Sequence, residues 1–514
     1  MTIPPWRVVD IDNVIESEQR WHLKTILLIL FNICLFCIKI MKNIIIAFPP
    51  DLIKKYYDNL DNVFFYDGVS IFNKRITPFF VNDSFDGAPQ GLSISDIRKS
   101  LSFWSPIIER WCGNLNQYKL IRDEIVFNVC ALASVIKKYE IKNVIFHTGV
   151  PHHIDSLTLS IACEVVSVKQ IFLYPNVIDN SIIPLLQLGD ISTRVIPRHI
   201  KIQNKNQEVV LKDFLDNVFQ RKKLYGGNEI KKINTIFFFS IFALIRQKLK
   251  NFLRIWLYAF LGLFSKNTRP LPKDYSDYSF LSYVKMLYAQ KRFIEIYKKK
   301  SANTRIAEIN KVKLIIFSSM QPEASSFPEG LYSSSFIDMC LALRSKGYKE
   351  KILYKEHKAN FEFYNPIVGI SRAGLYRNPE YINLIQALGC EFISADYPSS
   401  ISSAKNYLPV TISGTIALER SLLGLRTLVF GSPWFSEMPG IIKFSEIESL
   451  VEIDKKWTET DIVLADLSKQ WILKVLEDHK LINATGVGIG SKSSVFDKES
   501  KVFFKQLDSL LKQL

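Results

Sequence analysis

The chain of 514 residues is too long for one ordinary hydrophobic core, so we expect two or more domains. A hydrophobic fraction of 48% with 13% aromatic residues excludes a disordered chain. Lys and Arg number 66 against 50 Asp and Glu, and the resulting charge of +16 favours an anionic partner: nucleic acid, anionic lipid or a nucleotide sugar.

Residues 1–40 are predicted to be a polar leader followed by a short hydrophobic segment at 25–38. This segment is shorter than the ~20 residues of a spanning helix, so a short membrane anchor and a leading hydrophobic helix both fit it. A third interpretation starts the fold at Met41, where MKNIIIAFPP is typical of a first strand. The seven cysteines are scattered without zinc spacing, which predicts no metal site and a reducing, cytoplasmic compartment.

Residues 41–200 are predicted to form an N-terminal Rossmann-like domain. NVIFHTG, at 143–149, is typical of a buried strand that follows a helix around 125–139. HIDSLTLSIACEVV then has a helical period, and KQIFLYP is typical of the next strand. This alternation of strands and helices predicts a parallel sheet.

Residues 201–300 are predicted to be a basic amphipathic helical insert. In the segment 235–266, apolar and aromatic residues recur at helical spacing and are interrupted by Arg246, Lys248, Lys250 and Arg254. A basic, aromatic-rich amphipathic helix is typical of an element that lies on an anionic membrane surface. A buried interdomain helix hairpin is the alternative. The apolar character of this basic stretch also argues against nucleic acid as the partner.

Residues 301–475 are predicted to form a second Rossmann-like domain that binds a nucleotide sugar, followed by a C-terminal linker and helix at 476–514. Its expected strands lie within KVKLIIF, KILYKEH, CEFISADYP, PVTISG and RTLVFG. The predicted fold class is therefore α/β and GT-B-like, with two Rossmann-like domains facing a cleft.

Polar residues follow three of the expected strands in the second half. They are Gln321, Glu323 and Ser325 after LIIF, Glu356 and His357 after ILYK, and Ser413, Gly414 and Thr415 after PVTI. Because the carboxyl ends of parallel strands meet at one edge of a sheet, these clusters are expected to converge on one site.

The turn at 413–415 is suited to a phosphate group. A helix that begins near Thr415 offers free backbone N–H groups and the positive end of its dipole, and Ser413 and Thr415 add hydroxyl donors. Gly414 permits close approach of the backbone, and Glu419, one turn along, could accept hydrogen bonds from ribose hydroxyls. An ordinary strand-to-helix cap is the alternative interpretation.

The segments QPEASSFPEG, LYKEHK and VTISGTIALERSLLGLRTLVFG, in this order and spacing, resemble the capsule polysaccharide biosynthesis glycosyltransferases. That group contains the bacterial capsule Kdo-transferases and has relatives among GT-B sialyl- and polysialyltransferases. VIFHTGVPHHIDSLTLSIACE resembles the N-terminal segment of this family. The likeness covers about 143–435, and the insert at 201–300 is unmatched.

The resemblance implies a GT-B fold and metal-independent transfer from a nucleotide-sugar donor, with no cofactor. It places Glu356 and His357 at the family's EHP segment and Ser413, Gly414 and Thr415 at its hydroxyl-rich phosphate turn. The proline after the histidine is Lys358 here. Since a proline would stiffen that loop, this difference leaves open whether the donor is CMP-linked.

These observations predict a glycosyltransferase that adds a sugar to a capsular or lipid-linked polysaccharide acceptor. It is expected in the cytoplasm, peripheral on the inner face of the cytoplasmic membrane. Candidate catalytic residues in the N-terminal domain are His152, His153 and Asp155, where either histidine could equally be structural. The alternatives are a GT-B-like nucleotide-sugar epimerase and a non-catalytic polysaccharide assembly or export protein.

Overall fold

A computed structural model gives the fold. It describes residues 44–47, 63–66, 70–72, 79–80, 92–111, 115–146, 154–175, 178, 182–186, 207–224, 241–242, 245–246, 249, 280–302, 312–319, 330, 335–365, 369–370, 373–397, 407–451, 453, 457–478, 506–507 and 509–510. The predicted leader at 1–40 lies outside these residues.

The first α/β unit contains a seven-stranded sheet with the order β4-β3-β2-β1-β5-β6-β7. Its strands are β1 Ile44–Ala47, β2 Val63–Tyr66, β3 Ser70–Phe72, β4 Phe79–Phe80, β5 Asn143–Phe146, β6 Lys169–Pro175 and β7 Ile182–Leu185. Strands β2, β1, β5 and β6 are parallel, whereas β3, β4 and β7 pair antiparallel at the two sides. The predicted strands after Met41, at NVIF and at KQIFLYP are confirmed.

Three helices pack with this sheet in one hydrophobic core, namely α1 Ile94–Trp111, α2 Leu115–Lys138 and α3 Ile154–Val165. Helix α3 is buried along most of its length, so its polar residues need partners inside the protein. Thr158 donates to the carbonyl of Ile154 at 2.7 Å, and Ser160 donates to Oε1 of Gln170 at 2.7 Å. The helix predicted after NVIF is thus confirmed as a core element.

The second α/β unit contains a six-stranded, fully parallel sheet with the order β12-β9-β8-β13-β14-β15. Its strands are β8 Leu314–Phe317, β9 Ile352–Lys355, β12 Cys390–Ile393, β13 Leu408–Thr411, β14 Thr427–Val429 and β15 Ile441–Lys443. A small antiparallel pair, β10 Tyr364–Asn365 and β11 Gly369–Ile370, lies outside the sheet. All five strands predicted for the second half are present.

Helices follow the strands of the second sheet or pack against them. These helices are α5 Phe280–Ser301, α6 Phe336–Ser345, α7 Ala373–Tyr376, α8 Pro379–Ala387, α9 Ile416–Ser421 and α10 Ile462–Asp478. Helix α4, Gln207–Leu224, lies between the two sheets in the sequence. Two 3₁₀ turns lie at Lys358–Phe361 and Phe444–Glu446. The predicted fold class, α/β with two Rossmann-like units, is confirmed by these two sheets.

Helix α5 corrects part of the predicted insert at 201–300. Its residues Leu287, Phe293 and Tyr297 are buried in the same core as Tyr354 and Phe392 of the second sheet. The amphipathic character of 280–301 therefore reflects packing inside the second unit. Of the described part of the remaining insert, α4 packs with α10.

The two units share a hydrophobic cluster. Ile183 of β7 and Leu211 and Phe214 of α4 are buried together with Trp434, in the loop before β15, and Ile472 of α10. Helix α10 therefore shares this cluster with β7 of the first sheet and with α4. In the described ranges, no helix combines the length and apolarity needed to cross a bilayer.

Candidate functional site

The carboxyl edge of the second sheet brings the ends of four neighbouring strands into one row. Ile393 pairs with Lys355, Lys355 pairs with Phe317, and Thr411 follows the residue that pairs with Ile316. Since parallel strands lie about 4.8 Å apart, Lys355 and Thr411 are separated by roughly 10 Å across β8. Two of the three predicted polar clusters begin at this edge.

The two faces of the sheet differ at this edge. Tyr354 and Phe392 lie in the core shared with α5, α6 and α8. Phe317, Leu353 and Ile393 lie in a smaller cluster on the other face, which also contains Ile416 at the start of α9. Because side chains alternate along a strand, Lys355 lies on the same face as Phe317. Glu356, the next residue, lies on the same face as Tyr354.

Glu356 is fully buried, and its carboxylate is saturated with hydrogen bonds. The carboxylate accepts from the side chains of Ser318, Tyr354, Asn360 and Arg377 and from the backbone N–H of His357. The Nε of Arg377 lies 2.6 Å from Oε2, and Nδ2 of Asn360 lies 2.7 Å from Oε1. This geometry corrects the prediction that Glu356 contacts the substrate, because no surface of its carboxylate is open to a ligand.

The partners of Glu356 stabilise its ionised carboxylate by more than burial destabilises it. Burial alone would raise the pKa of this carboxyl, but Arg377 and the hydrogen bonds from Ser318 and Asn360 outweigh it and lower the pKa. For Arg377, burial would lower the pKa and Glu356 raises it by more. The guanidinium also lies over the ring of Tyr381, with Cζ 4.3 Å from its centroid. Both groups are therefore ionised inside the core.

This network fixes the two loops that leave β8 and β9. The N–H of Ser318 donates to the carbonyl of Lys355 at 3.0 Å, and the N–H of His357 donates to Oγ of Ser318 at 2.8 Å. Glu356 thus positions the loop that carries His357 and does not itself reach the surface.

Helix α5 supports the same loop from below. The hydroxyl of Tyr297 accepts from the N–H of Glu356 at 2.8 Å and donates to the carbonyl of Ile393 at 2.7 Å. Nε2 of Gln290 donates to the carbonyl of Asn360 at 2.8 Å. Sequence reasoning missed both residues, because they belong to a segment that was assigned to the insert.

His357 is exposed at the edge, and its hydrogen bonding defines its tautomer. Its Nδ1 accepts from the N–H of Ala359 at 3.2 Å, so a neutral ring carries its hydrogen on Nε2. Desolvation on the protein side lowers the pKa of His357, and the positive charge of Lys355 lowers it further. At neutral pH the residue therefore presents an uncharged N–H donor.

Lys358 stands where a proline was expected, and an ion pair holds its loop instead. It is the first residue of the 3₁₀ turn Lys358–Phe361, where a proline would also fit. Its Nζ lies 2.8 Å from Oδ1 of Asp396, which joins this loop to the end of β12. The loop is thus ordered without the proline.

The turn at 413–415 differs in detail from the predicted phosphate turn. The N–H of Gly414 donates to Oγ1 of Thr411 at 3.2 Å, so this amide already has an acceptor. A Cβ at Gly414 would lie 2.7 Å from the same oxygen, so the contact with Thr411 alone accounts for a glycine here. Helix α9 has only six residues, and its dipole is correspondingly weaker than the sequence suggested.

The outer part of the turn keeps the features that suit an anion. Within the described residues, the backbone N–H groups of Thr415 and Ile416 have no hydrogen-bond acceptor. Thr415 is exposed and makes no side-chain cap. Its Oγ1 instead donates to Oε1 of Glu419 at 3.3 Å, which brings Glu419 next to the turn as predicted.

The other predicted site residues are only partly described. Asp155 lies in the first turn of α3, half-buried, after the carboxyl end of β5. His152 and His153 precede it and lie outside the described residues, as do Gln321, Glu323 and Ser325. Their participation in the site stays a prediction.

Lys355 is a buried charged residue at this edge that the sequence analysis did not single out. It is only 8% exposed, and in the described part of the chain its Nζ has neither a hydrogen-bond acceptor nor an ion-pair partner. The ammonium lies 5.6 Å from the centroid of the Phe317 ring. Burial lowers the pKa of Lys355 to about 8, and Lys358 adds to this effect. The available signal was a lysine that ends the otherwise apolar strand ILYK.

Comparison with known proteins gives no assignment. No protein-family model matches the chain, and no curated protein is significantly similar to it. A solved structure of UDP-GlcNAc 2-epimerase from Neisseria meningitidis bound to UDP-GlcNAc is 10% identical, with 71% of this chain and 89% of that chain covered and a TM-score of 0.21. UDP-N-acetylglucosamine 2-epimerase from Rickettsia bellii is 13% identical, with 85% and 96% covered and a TM-score of 0.17. Likenesses at this level carry no argument about activity.

Proposed function

We propose that this chain is a metal-independent glycosyltransferase that moves a sugar from a nucleotide-activated donor to a capsular or lipid-linked polysaccharide acceptor. The observation that carries the proposal is the set of donors at the carboxyl edge of the second sheet. The free amides of Thr415 and Ile416 and the Nε2–H of His357 belong to loops that leave this edge of the sheet. Such a set suits the phosphate of a nucleotide sugar.

The proposed chemistry uses these donors when the nucleotide leaves. Cleavage of the bond between the sugar and the phosphate leaves negative charge on the phosphate oxygens. Fixed donors that already face this position stabilise the charge without reorganisation, which is the largest single contribution in many enzymes. The Glu356–Arg377 pair holds the His357 loop in place for this purpose.

The acceptor would be activated from the first unit. Asp155 stands at the start of α3, after the carboxyl end of β5, and His152 and His153 precede it in the sequence. A carboxylate or imidazole at this edge could accept the proton of an acceptor hydroxyl. Substitution of Asp155 by Asn would then lower kcat while nucleotide affinity is retained.

An anionic membrane surface is the proposed location of the reaction. The described residues between 241 and 249 are helical, and Ile241 packs against the second core. Phe242, Ile245 and Leu249 are 67%, 44% and 55% exposed. Their spacing of three and four residues puts them on one face, next to the exposed Arg246. An apolar face with basic neighbours is suited to the inner surface of the cytoplasmic membrane.

Separate incubations with CMP-, UDP- and GDP-linked sugars, with and without a glycan acceptor, test the proposal. Transfer that survives addition of EDTA is the expected result. Conversion of the free nucleotide sugar without acceptor would instead indicate an epimerase. Absence of nucleotide binding would indicate a non-catalytic assembly or export protein.

A further inference from the structure

A buried ammonium without a counter-ion is an unfavourable feature for a protein to carry in its core. Lys355 is only 8% exposed, and it is the last residue of β9, which lies between β12 and β8 in the sheet. An ionised amine removed from water costs several kcal/mol unless it is paired. Methionine or leucine would fill the same space without this cost.

The described charged residues around Lys355 do not provide that counter-ion. Glu356, on the opposite face, is committed to Arg377. Asp396 is committed to Lys358, with 2.8 Å between its Oδ1 and Nζ. The groups that act on the charge of Lys355 are Glu356, His357, Lys358 and Asp396. Among the described residues, both of these carboxylates are thus paired with another cation, and neither forms an ion pair with Lys355.

Lys355 and the turn at 413–415 lie at the same edge of the sheet. Lys355 and Thr411 lie in the same row at the carboxyl edge, on either side of Phe317. The strands of these residues lie roughly 10 Å apart, so groups that reach toward each other from the two positions could contact neighbouring anionic groups of one ligand. The cluster around Phe317 also contains Ile416, the first residue of α9, so the two positions share one face.

We infer that Lys355 is the counter-charge for a second anionic group of the donor, beyond the phosphate placed at residues 413–415. This inference rests on the proposed function. The shared chemistry is an oxyanion, either the second phosphate of a nucleoside diphosphate sugar or the carboxylate of a CMP-linked sugar acid. The ligand would pair with an ammonium that has no anionic partner among the described residues.

The test measures affinities by titration calorimetry for UMP against UDP and for CMP against CMP-N-acetylneuraminate. Wild type is compared with Lys355→Met, which removes the charge and keeps the length of the side chain. Lys351→Met is the matched control, since Lys351 immediately precedes the same strand and forms an exposed pair with Glu391. Lys355→Arg keeps a charge at the site, and melting temperatures establish that each variant is folded.

In one of the two pairs, the ligand with the extra anionic group should bind wild type more tightly, by roughly tenfold or more. That gain should vanish in Lys355→Met, persist in Lys351→Met and be partly kept in Lys355→Arg. A gain in the UMP–UDP pair identifies a phosphate, and a gain in the other pair identifies a carboxylate. Equal gains in wild type and Lys355→Met would overturn the inference and leave the proposed function standing. If wild type binds none of these nucleotides, both fail.

Discussion

At the residue scale, the ion pair of Glu356 and Arg377 decides whether the His357 loop has one position. Arg377 is 2% exposed and Glu356 is fully buried, so each charge depends on the other. Removal of one partner from such a pair typically costs about 3–5 kcal/mol, because the remaining charge is stranded in the core. The pair contributes to stability only while both members are ionised.

Glu356→Gln should therefore lower the free energy of unfolding by about 3 kcal/mol or more. Because the folded-state pKa of Glu356 is lowered, its contribution is present above the ordinary value of 4.5 and is lost as the pH falls below it. Urea titrations at pH 7 and pH 4 should show a larger difference between wild type and variant at pH 7. The control is Glu391→Gln, which breaks an exposed pair worth less than about 1 kcal/mol. Equal losses in the two variants would refute this assignment.

Lys355 should show the opposite effect on stability. Lys355→Met should stabilise the protein at pH 7, by up to roughly 3 kcal/mol, since the pKa falls from 10.5 to about 8 and each unit corresponds to about 1.4 kcal/mol. Below pH 8 the folded protein bears the full cost of the buried charge. As the pH rises from 8 to 10.5 the folded state has released the proton while the unfolded chain still holds it, so wild type gains stability and the difference shrinks.

Urea titrations of wild type and Lys355→Met between pH 7 and pH 10.5 measure this convergence. Lys298, whose pKa is also lowered to about 8, is present in both proteins and cancels in the comparison. A variant less stable than wild type at pH 7 would show that Lys355 is a structural residue.

At the element scale, the close contact of α7 with α5 supports the site from outside. A Cβ at Gly374 would lie 2.0 Å from the carbonyl oxygen of Met286, so the two backbones meet without room for a side chain. Helix α7 ends next to Arg377, and α5 carries Tyr297 and Gln290. A displacement of α7 would therefore reach the network around Glu356.

Gly374→Ala should destabilise the protein by about 1–3 kcal/mol, the usual cost of overpacking. Leu375→Ala is the matched control, because Leu375 is the next residue and is 39% exposed. Thermal unfolding of both variants measures the effect. A Tm for Gly374→Ala equal to that of the control would contradict the contact.

The strands of both units could be predicted because short apolar runs bounded by polar residues carry that information locally. The orientation of Glu356 could not. Alternation predicts that Tyr354 and Glu356 share a face, but only the packing of α5 and α8 reveals that this face is closed. The burial of Lys355 could not be predicted either, because it also depends on packing and not on the alternation of side chains. Helix α5 was misassigned because its Lys-rich surface resembles that of the segment before it, while its buried contacts are with strands far along the chain.

At the scale of the whole molecule, the apolar face formed by Phe242, Ile245 and Leu249 should bind anionic vesicles. Each basic residue near such a surface contributes about 1 kcal/mol, so co-sedimentation should weaken as salt is raised. Phe242→Asp with Leu249→Asp should weaken it further, since both side chains are exposed. Leu341→Asp, an exposed leucine on α6, is the control and should bind as wild type does. Binding that is insensitive to salt and to the double variant would show that this face does not dock on the membrane.

The central claim is that the carboxyl edge of the second sheet binds a nucleotide sugar through the turn at 413–415. Thr415→Ala is an informative variant because the Thr415 side chain makes no cap hydrogen bond, so its loss should change stability by well under the ~1 kcal/mol of a lost cap. Titration of wild type and Thr415→Ala with CMP, UDP and GDP, with melting temperatures on the same samples, is the most direct measurement. The account predicts that one nucleotide binds and raises the Tm of wild type, and that Thr415→Ala weakens its affinity roughly tenfold while the Tm without ligand is unchanged. Nucleotide affinity that is equal in the two proteins, or absent from wild type, would contradict it.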